Sequence, residues 1–481
     1  MLICRTVNTY YSHMLTLRPD QEEFIRNLRG AFREHQSVMG CAATGFGKTV
    51  VSSAIAQSAY LKGKRVMFTV HRDNLIRQTS LTFRDFAIPH GFIASGMPYC
   101  ASSLVHIASI DTLKRRLEKV HAPDLLVIDE AHLAMAKGWQ AVVDHYRERG
   151  AKILGNSATP ARLDGQPLRD LFDTMVEGPP VRWLMDQGHL SDYKYYAPDI
   201  PDLSSLKKSM GDFEKKGADE AMDRPKLIGS VVAHYKALAL GKRAVCFCMN
   251  VKNSQHTVAE FRLNGITAAH IDGTTPDAER KRILNDFADG KIMVLCNVEL
   301  VTTGFDLSAQ VGRDVPVECV ILCRPTMSLA LFLQMVGRAL RRKPYPAIIL
   351  DHAGNSMRHG FPDDPREWSL DGIVKGNVSA PEGPPPPITC EGCYRQIRRP
   401  APPNCPGCGK RLQAEPKPID VGEGSLIEVT DDMKRIIRAK RQAEEREAKT
   451  LHELVALGAS RGYASPQKWA FQKWSNSRYR K

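Results

Sequence analysis

Ser37-Val-Met-Gly-Cys41, running straight into Ala42-Ala-Thr-Gly45-Phe-Gly47-Lys48-Thr49, decides the fold. A short apolar run, a glycine-rich turn and a Lys-Thr pair predict a strand over residues 37–41, a phosphate-binding loop, and a helix starting near Lys48. Ala42 stands where the pattern has its first glycine. Gly45 and Gly47 let the backbone curl so that its N–H groups face phosphate oxygens, and the helix adds its positive N-terminal end. Lys48 is placed to reach the β and γ phosphates and the Thr49 hydroxyl to ligate Mg2+. Thr44, Gly45, Phe46, Gly47, Lys48 and Thr49 are therefore the candidate phosphate-side residues.

Some 80 residues on, Asp129-Glu130-Ala131-His132 follows the apolar run Leu125-Leu-Val-Ile128. That places two carboxylates at the C-terminal end of a strand, the edge where ligands bind in open α/β sheets. Asp129 suits a Mg2+ ion held through its water shell, and Glu130 suits orientation or deprotonation of an attacking water.

The surrounding pattern is one of short apolar runs alternating with helical periodicity, which predicts layered α/β architecture with parallel sheets. Val66–Val70, Leu125–Ile128 and Lys152-Ile-Leu154 read as strands of one half. After a polar stretch near residues 200–225 the pattern restarts, with strands expected at Ala244–Phe247, Ile292–Leu295, Cys319–Leu322 and Ala347–Leu350. The expected organisation is an extension (1–13), a first lobe (14–192), a second lobe (193–370), a proline-rich linker (371–387), a cysteine module (388–412) and a basic helical tail (413–481).

Lys and Arg number 67 against 53 Asp and Glu, a net charge of +14, which points to a polyanionic partner. No run of 18 apolar residues supports a membrane span, and the N-terminus carries no signal-peptide pattern. Eight of the twelve cysteines are scattered and four are clustered, which suggests a reducing cytoplasm and one metal site rather than disulfides.

Over roughly residues 15–360 the chain resembles superfamily 2 helicases, in particular their XPB/RadD-like branch. Leu17-Arg-Pro-Asp-Gln21 looks like the opening motif, whose glutamine contacts adenine in that family. Val70-His-Arg72 through Gln78 resembles motif Ia, Ala108-Ser109 through Thr112-Leu113 the next strand-contacting motif, and Ser157-Ala-Thr159-Pro160 motif III, which couples hydrolysis to the bound strand. In the second half, Phe247 to Asn250 occupies the place of motif IV. Asn297 through Thr302-Thr303-Gly304-Phe-Asp306 looks like motif V, and Gln334-Met-Val-Gly337-Arg338-Ala-Leu-Arg341 like motif VI. The resemblance implies two RecA-like lobes with ATP and Mg2+ between them and the strand crossing both. It implies nucleotide contacts from Gln21, Gly304 and Asp306, and nucleic-acid contacts from Arg72, Ser109, Thr112, Asn297 and Thr302. Coupling is implied for His132, Ser157, Thr159 and Gln334. Arg338 and Arg341, three apart, are expected to share one helix face and act together as arginine fingers.

Met335 and Leu340 stand at the variable positions of motif VI as in DNA-directed members, so the likeness implies DNA in repair, recombination or replication. An RNA helicase, or a motor subunit of a restriction or defence assembly, remains as an alternative. The segment 308–318 is longer than the usual link after motif V, and no Arg-Glu-Asp element of the XPB type is present.

Cys390-x-x-Cys393 and Cys405-x-x-Cys408, eleven residues apart, can close four thiolates around one tetrahedral ion. Zn2+ is the default for such knuckles, and a rubredoxin-type iron uses similar ones. Residues 431–458 carry helical periodicity. Beyond them Arg461, Tyr463, Lys468, Trp469, Phe471, Lys473, Trp474, Arg478 and Tyr479 interleave basic and aromatic side chains, either to stack on bases or to form a small helical cap that buries its aromatics against the motor.

Overall fold

The computed structural model describes residues 16–71, 73–133, 137–160, 167–197, 208–209, 212–213, 222, 225–298, 307–371, 386–412, 431–461, 463 and 465–478. The chain divides into two compact units, Met1–Gln413 and Ala414–Lys481.

In the first unit, β1 (Ser37–Cys41), β2 (Val66–Val70), β3 (Gly91–Ile93), β4 (Val105–Ser109), β5 (Leu125–Ile128), β6 (Lys152–Ser157) and β7 (Thr174–Glu177) form one sheet in the order β3-β4-β2-β5-β6-β1-β7. Every pairing in it is parallel. Strands β1, β2, β4 and β5 are buried along their whole length, which is why they read as unbroken apolar runs.

A second parallel sheet contains β8 (Tyr193–Tyr196), β11 (Ala244–Phe247), β12 (Ala268–Ile271), β13 (Val294–Asn297), β14 (Cys319–Leu322) and β15 (Ala347–Asp351), ordered β12-β13-β11-β14-β15-β8. A two-stranded ribbon, β9 (Lys208–Ser209) with β10 (Asp212–Phe213), lies between β8 and β11 in sequence. The expected α/β class, two parallel-sheet lobes followed by a cysteine cluster and terminal helices, is the observed one. Strand β13 starts two residues later than its apolar run suggests. Met293 still sits in the approach to the sheet, its N–H donated to the Thr267 carbonyl at 2.9 Å.

The chain passes between the lobes twice. Leu190 bridges Arg341, and the Ser191 N–H donates to the Leu340 carbonyl at 2.9 Å, just before β8 joins the second sheet. After β15 the chain returns. Leu370 is 3% exposed in the first lobe's core beside Leu168, Leu171 and Phe172, and Arg169 pairs with Asp371.

The cysteine module carries the hairpin β16 (Ile388–Thr389) and β17 (Gln396–Ile397). It seats on the second lobe: Tyr196 bridges Arg395, and the Ala197 N–H donates to the Tyr394 carbonyl at 3.1 Å. Arg398 donates to the buried Asp363 at 2.6 Å and to Asp364, with its guanidinium 4.7 Å from the Phe361 ring centre.

The second unit holds helices Asp431–Glu447, Leu451–Ser460 and Pro466–Arg478. The helical stretch expected over 431–458 is broken because Thr450 caps a new helix, its hydroxyl accepting from the Glu453 N–H at 3.2 Å. Trp469 packs on Gly458, where a Cβ would stand 2.9 Å from the indole. Arg461 covers the ring at 5.8 Å while pairing with Glu444 and Glu445 at 2.7 and 2.8 Å. Trp469 is therefore part of this unit's own core, whereas Phe471 is 64% exposed.

Candidate nucleotide site

The loop Ala42–Gly47 joins β1 to the helix Lys48–Tyr60, as the opening motif predicts. Gly47 is the left-handed N-cap at φ 97°, and a Cβ there would lie 2.7 Å from Gln21 Nε2. Only glycine serves both demands. Lys48 Nζ donates to the carbonyls of Ala42 and Ala43 at 3.0 and 3.3 Å, curled over its own loop. Burial pushes the Lys48 ammonium below its ordinary range, and the charges of Glu130 and Asp129 oppose that. Thr49 occupies the first turn of the helix.

Asp129 and Glu130 leave the end of β5, facing Lys48. Burial, and then repulsion from Glu130, push the Asp129 carboxyl up to about 7, against the pull of Lys48. Two adjacent carboxylates at a strand end offer the oxygen donors that a divalent cation takes. Glu130 holds a left-handed backbone at φ 51°, rare for a side-chain-bearing residue. That conformation turns the chain between Asp129 and His132. Glu130 Oε2 is buried without a hydrogen bond, 3.5 Å from His132 Nδ1. His132 Nδ1 also meets Ser157 Oγ at 3.0 Å, and Ser157 Oγ accepts from the Thr159 N–H at 3.1 Å. Burial lowers the affinity of His132 for a proton, which favours a neutral relay.

Gln21 is 3% exposed and both ends of its amide are engaged. Nε2 donates to the Phe46 carbonyl at 2.9 Å, and Oε1 accepts from the Arg18 N–H at 3.1 Å. It braces the loop instead of presenting a free amide to adenine. Phe46 buries its ring edge-on against Phe24, 5.4 Å between centres.

Motif VI reaches the same loop from the second lobe. A Cβ at Gly337 would stand 2.6 Å from Thr44 Cγ2, and Arg338, 8% exposed, is close enough to repel Lys48. The shared helix face expected for Arg338 and Arg341 is not formed. The helix Leu329–Gly337 ends with Arg338 as its cap, and Arg341 lies beyond it in the bridge to Leu190. Gln334 lies inside the helix, 5% exposed. Among the described residues, Thr44 Oγ1, Thr159 Oγ1 and Gln334 Nε2 are buried polar atoms without a hydrogen bond. A cleft of about 790 Å³ runs along the same seam, lined by Ala42, Thr44, Ala158, Gly337 and the returning segment around Phe361–Arg366.

The remaining expected residues separate from this site. Ser109 is buried at the start of the helix Ile110–Lys114, and Thr112 is half-buried in it. Asn297 is fully buried, its amide donated to the Cys246 carbonyl at 3.0 Å, so it holds a strand end rather than facing the nucleic acid expected for it. Arg72, Thr302, Gly304 and Asp306 lie outside the described residues. Sequence reasoning missed the Arg18 contact to the Phe46 carbonyl at 3.1 Å; its place three residues before Gln21 was the available signal.

The cysteine knuckles do converge. The sulfurs of Cys390, Cys393, Cys405 and Cys408 all lie within 4.8 Å of one another, and the Gly407 N–H approaches Cys405 Sγ at 3.3 Å. That donor set fits a tetrahedral thiolate-bound ion.

The family model described as Type III restriction enzyme, res subunit, matches residues 14–162, and that described as Helicase conserved C-terminal domain matches residues 228–343. A 51.5 kDa protein of Lactococcus phage (isolate 7-9) is 37% identical over 325 residues, covering 67% of each chain. The "Putative ATP-dependent helicase IRC3" of Saccharomyces cerevisiae is 30% identical over 346 residues, 68% of this chain and 49% of that protein. The chain thus spans about half the length of the yeast relative. Among solved structures, the ATP-dependent Type ISP restriction-modification enzyme LlaBIII bound to DNA shares the fold. Its TM-score is 0.52 at 17% identity, over 72% of this chain and 28% of that one. With both lobes matched, the chain belongs to the superfamily 2 helicases.

Proposed function

We propose that this protein is an ATP-driven nucleic-acid motor that translocates on, remodels or unwinds DNA. The observation that carries the ATP site is the meeting of Lys48, Asp129 and Glu130 with Gly337 and Arg338 along one seam. In this reading Lys48 leaves the Ala42 and Ala43 carbonyls for the β and γ phosphates, and Thr49 and Asp129 hold Mg2+. Glu130 orients the attacking water, and Arg338, with Arg341 in support, neutralises charge developing on the transferred phosphoryl group. Gln21, through the Phe46 carbonyl, holds the shape of the phosphate loop. His132, Ser157 and Thr159 pass the state of Glu130 toward the end of β6, and Gln334, buried in the motif VI helix with Nε2 unbonded, is the coupling residue of the opposite lobe.

DNA rests on Met335 and Leu340 in the XPB/RadD-like motif VI and on the net charge of +14. The match of the first lobe to a restriction-enzyme res subunit favours a second reading, a motor within a larger restriction assembly. Zn2+ is the ion proposed for the cysteine module.

An ATPase assay across single-stranded, duplex and forked DNA and matched RNA tests the function. Turnover stimulated more by DNA than by RNA, and lost in Lys48→Ala, is the expected result. Unchanged turnover in Lys48→Ala would falsify the assigned site, and stronger stimulation by RNA would reassign the substrate.

A further inference from the structure

Three of the eight cysteines outside the knuckle module, Cys246, Cys248 and Cys296, meet at one point in the second lobe, with Cys323 beside Cys246. Cys246 lies on β11 with Cys248 just beyond its end, Cys296 on β13, and Cys323 one residue past β14. Parallel register sets Cys246 beside Cys296, and the Cys323 N–H donates to the Phe247 carbonyl at 2.9 Å, so the three strand ends are aligned. Alternation along an extended chain puts Cys246 and Cys248 on the same side. Cys246 Sγ lies 3.7 Å from Cys248 Sγ and 3.8 Å from Cys323 Sγ, and the sulfurs of Cys246, Cys248 and Cys296 all lie within 4.8 Å of one another. A tetrahedral ion with metal–sulfur bonds of about 2.3 Å sets its sulfurs roughly 3.8 Å apart. In the knuckle module the corresponding pairs stand at 3.6 Å. Alanine or valine would fill this core space as well as cysteine does; what the three cysteines add is convergent sulfur.

We propose that Cys246, Cys248 and Cys296 form a second, buried thiolate site for a closed-shell thiophilic cation, Zn2+ or Cu+. Each ligating thiol gives up its proton to solvent on binding. With all three deprotonated, the thiolates exceed the cation's charge by one for Zn2+ and by two for Cu+, a cost that the metal–sulfur bonds must outweigh. All three side chains are at most 1% exposed, so the ion enters as the lobe folds. Once bound, it ties together the ends of β11 and β13. Motif IV residues Met249 and Asn250 and the chain after Asn297 leave the sheet beside it.

The test is metal content of the full chain, produced in medium enriched in Zn2+ or in Cu+ and measured by plasma mass spectrometry. The expected result is an ion whose presence requires Cys246 and Cys296 and survives in Cys390→Ser/Cys393→Ser. If the knuckle module also holds zinc, the full chain carries two ions and each paired variant one. If the module holds none, the single ion is lost only from Cys246→Ala/Cys296→Ala, which separates failure of the zinc assignment from failure of this inference. Metal absent from Cys390→Ser/Cys393→Ser, or metal undiminished in a folded Cys246→Ala/Cys296→Ala, overturns it. Cadmium NMR of the full chain produced in Cd2+ medium distinguishes the same outcomes without substitutions: two thiolate-type resonances support the site when the module is loaded, and one that matches the isolated knuckle pattern refutes it.

Discussion

Arg338 belongs to the second lobe yet lies within repelling reach of Lys48 in the first, so its removal separates binding from chemistry. Arg338→Ala is expected to keep nucleotide binding and lower turnover by about 10³- to 10⁵-fold. Glu130→Gln is expected to lower it by about 10²- to 10⁴-fold, with ATP still bound. Fluorescent-nucleotide titration beside steady-state ATPase measurement checks both. His352 gives a pH effect of definite sign. Burial, and then the neighbouring His234, push it down to about 3 from an ordinary 6.5. The unfolded chain therefore takes up a proton that the folded lobe refuses. Stability is full above pH 6.5 and falls as pH drops toward 3, by about 1.4 kcal/mol per pH unit for this group. Urea unfolding of the native chain and His352→Phe from pH 7 to pH 5 should show a shallower slope in the variant; equal slopes would remove the assignment. At this scale Lys48, Asp129 and Glu130 were legible because their chemistry is written in contiguous motifs. The engaged amide of Gln21 and the burial of Asn297 were not, because each depends on a carbonyl distant in sequence or on a neighbouring strand.

The helix Leu329–Gly337 shows what elements add. Ser328 starts it, its hydroxyl accepting from the Leu331 N–H at 3.1 Å, and Gly337 ends it against Thr44. Gly337→Ala is expected to fold and to lose most ATPase activity, because the new methyl must push the two lobes apart at the seam. Ser328→Ala, at the opposite end, is expected to cost about 1 kcal/mol of stability. Circular dichroism melts with ATPase rates distinguish the two, and equal rates for Gly337→Ala and the parent would show that the seam tolerates the wedge. Continuous apolar runs made β2, β5, β11 and β14 readable to the residue. Where such a run overshoots the paired region, as at Ile292-Met293, composition cannot say where pairing begins. The early end of the motif VI helix was hidden for a related reason: Arg338 and Arg341 have helical spacing, but Leu190 and Ser191 claim the backbone at Leu340 and Arg341.

For the whole molecule, a basic surplus on a nucleic-acid motor implies salt-sensitive binding. If six to ten phosphates are contacted, affinity should fall by about 10³- to 10⁵-fold between roughly 50 and 200 mM salt. A flat salt dependence in fluorescence anisotropy would argue against an electrostatic track. The architecture of two lobes was legible from the restart of the strand pattern after residue 225, whereas the return of Leu370 to the first lobe's core was not. A single leucine in a polar segment has no periodicity to announce its destination. That return has a kinematic consequence. The lobes are fastened at two places, Leu190–Ser191 against Leu340–Arg341 and Leu370 beside Leu168, while the chain on either side of both crossings lines the same cleft. Both fastenings join the same pair of lobes beside the cleft, so any change of lobe spacing there must strain or break one of them.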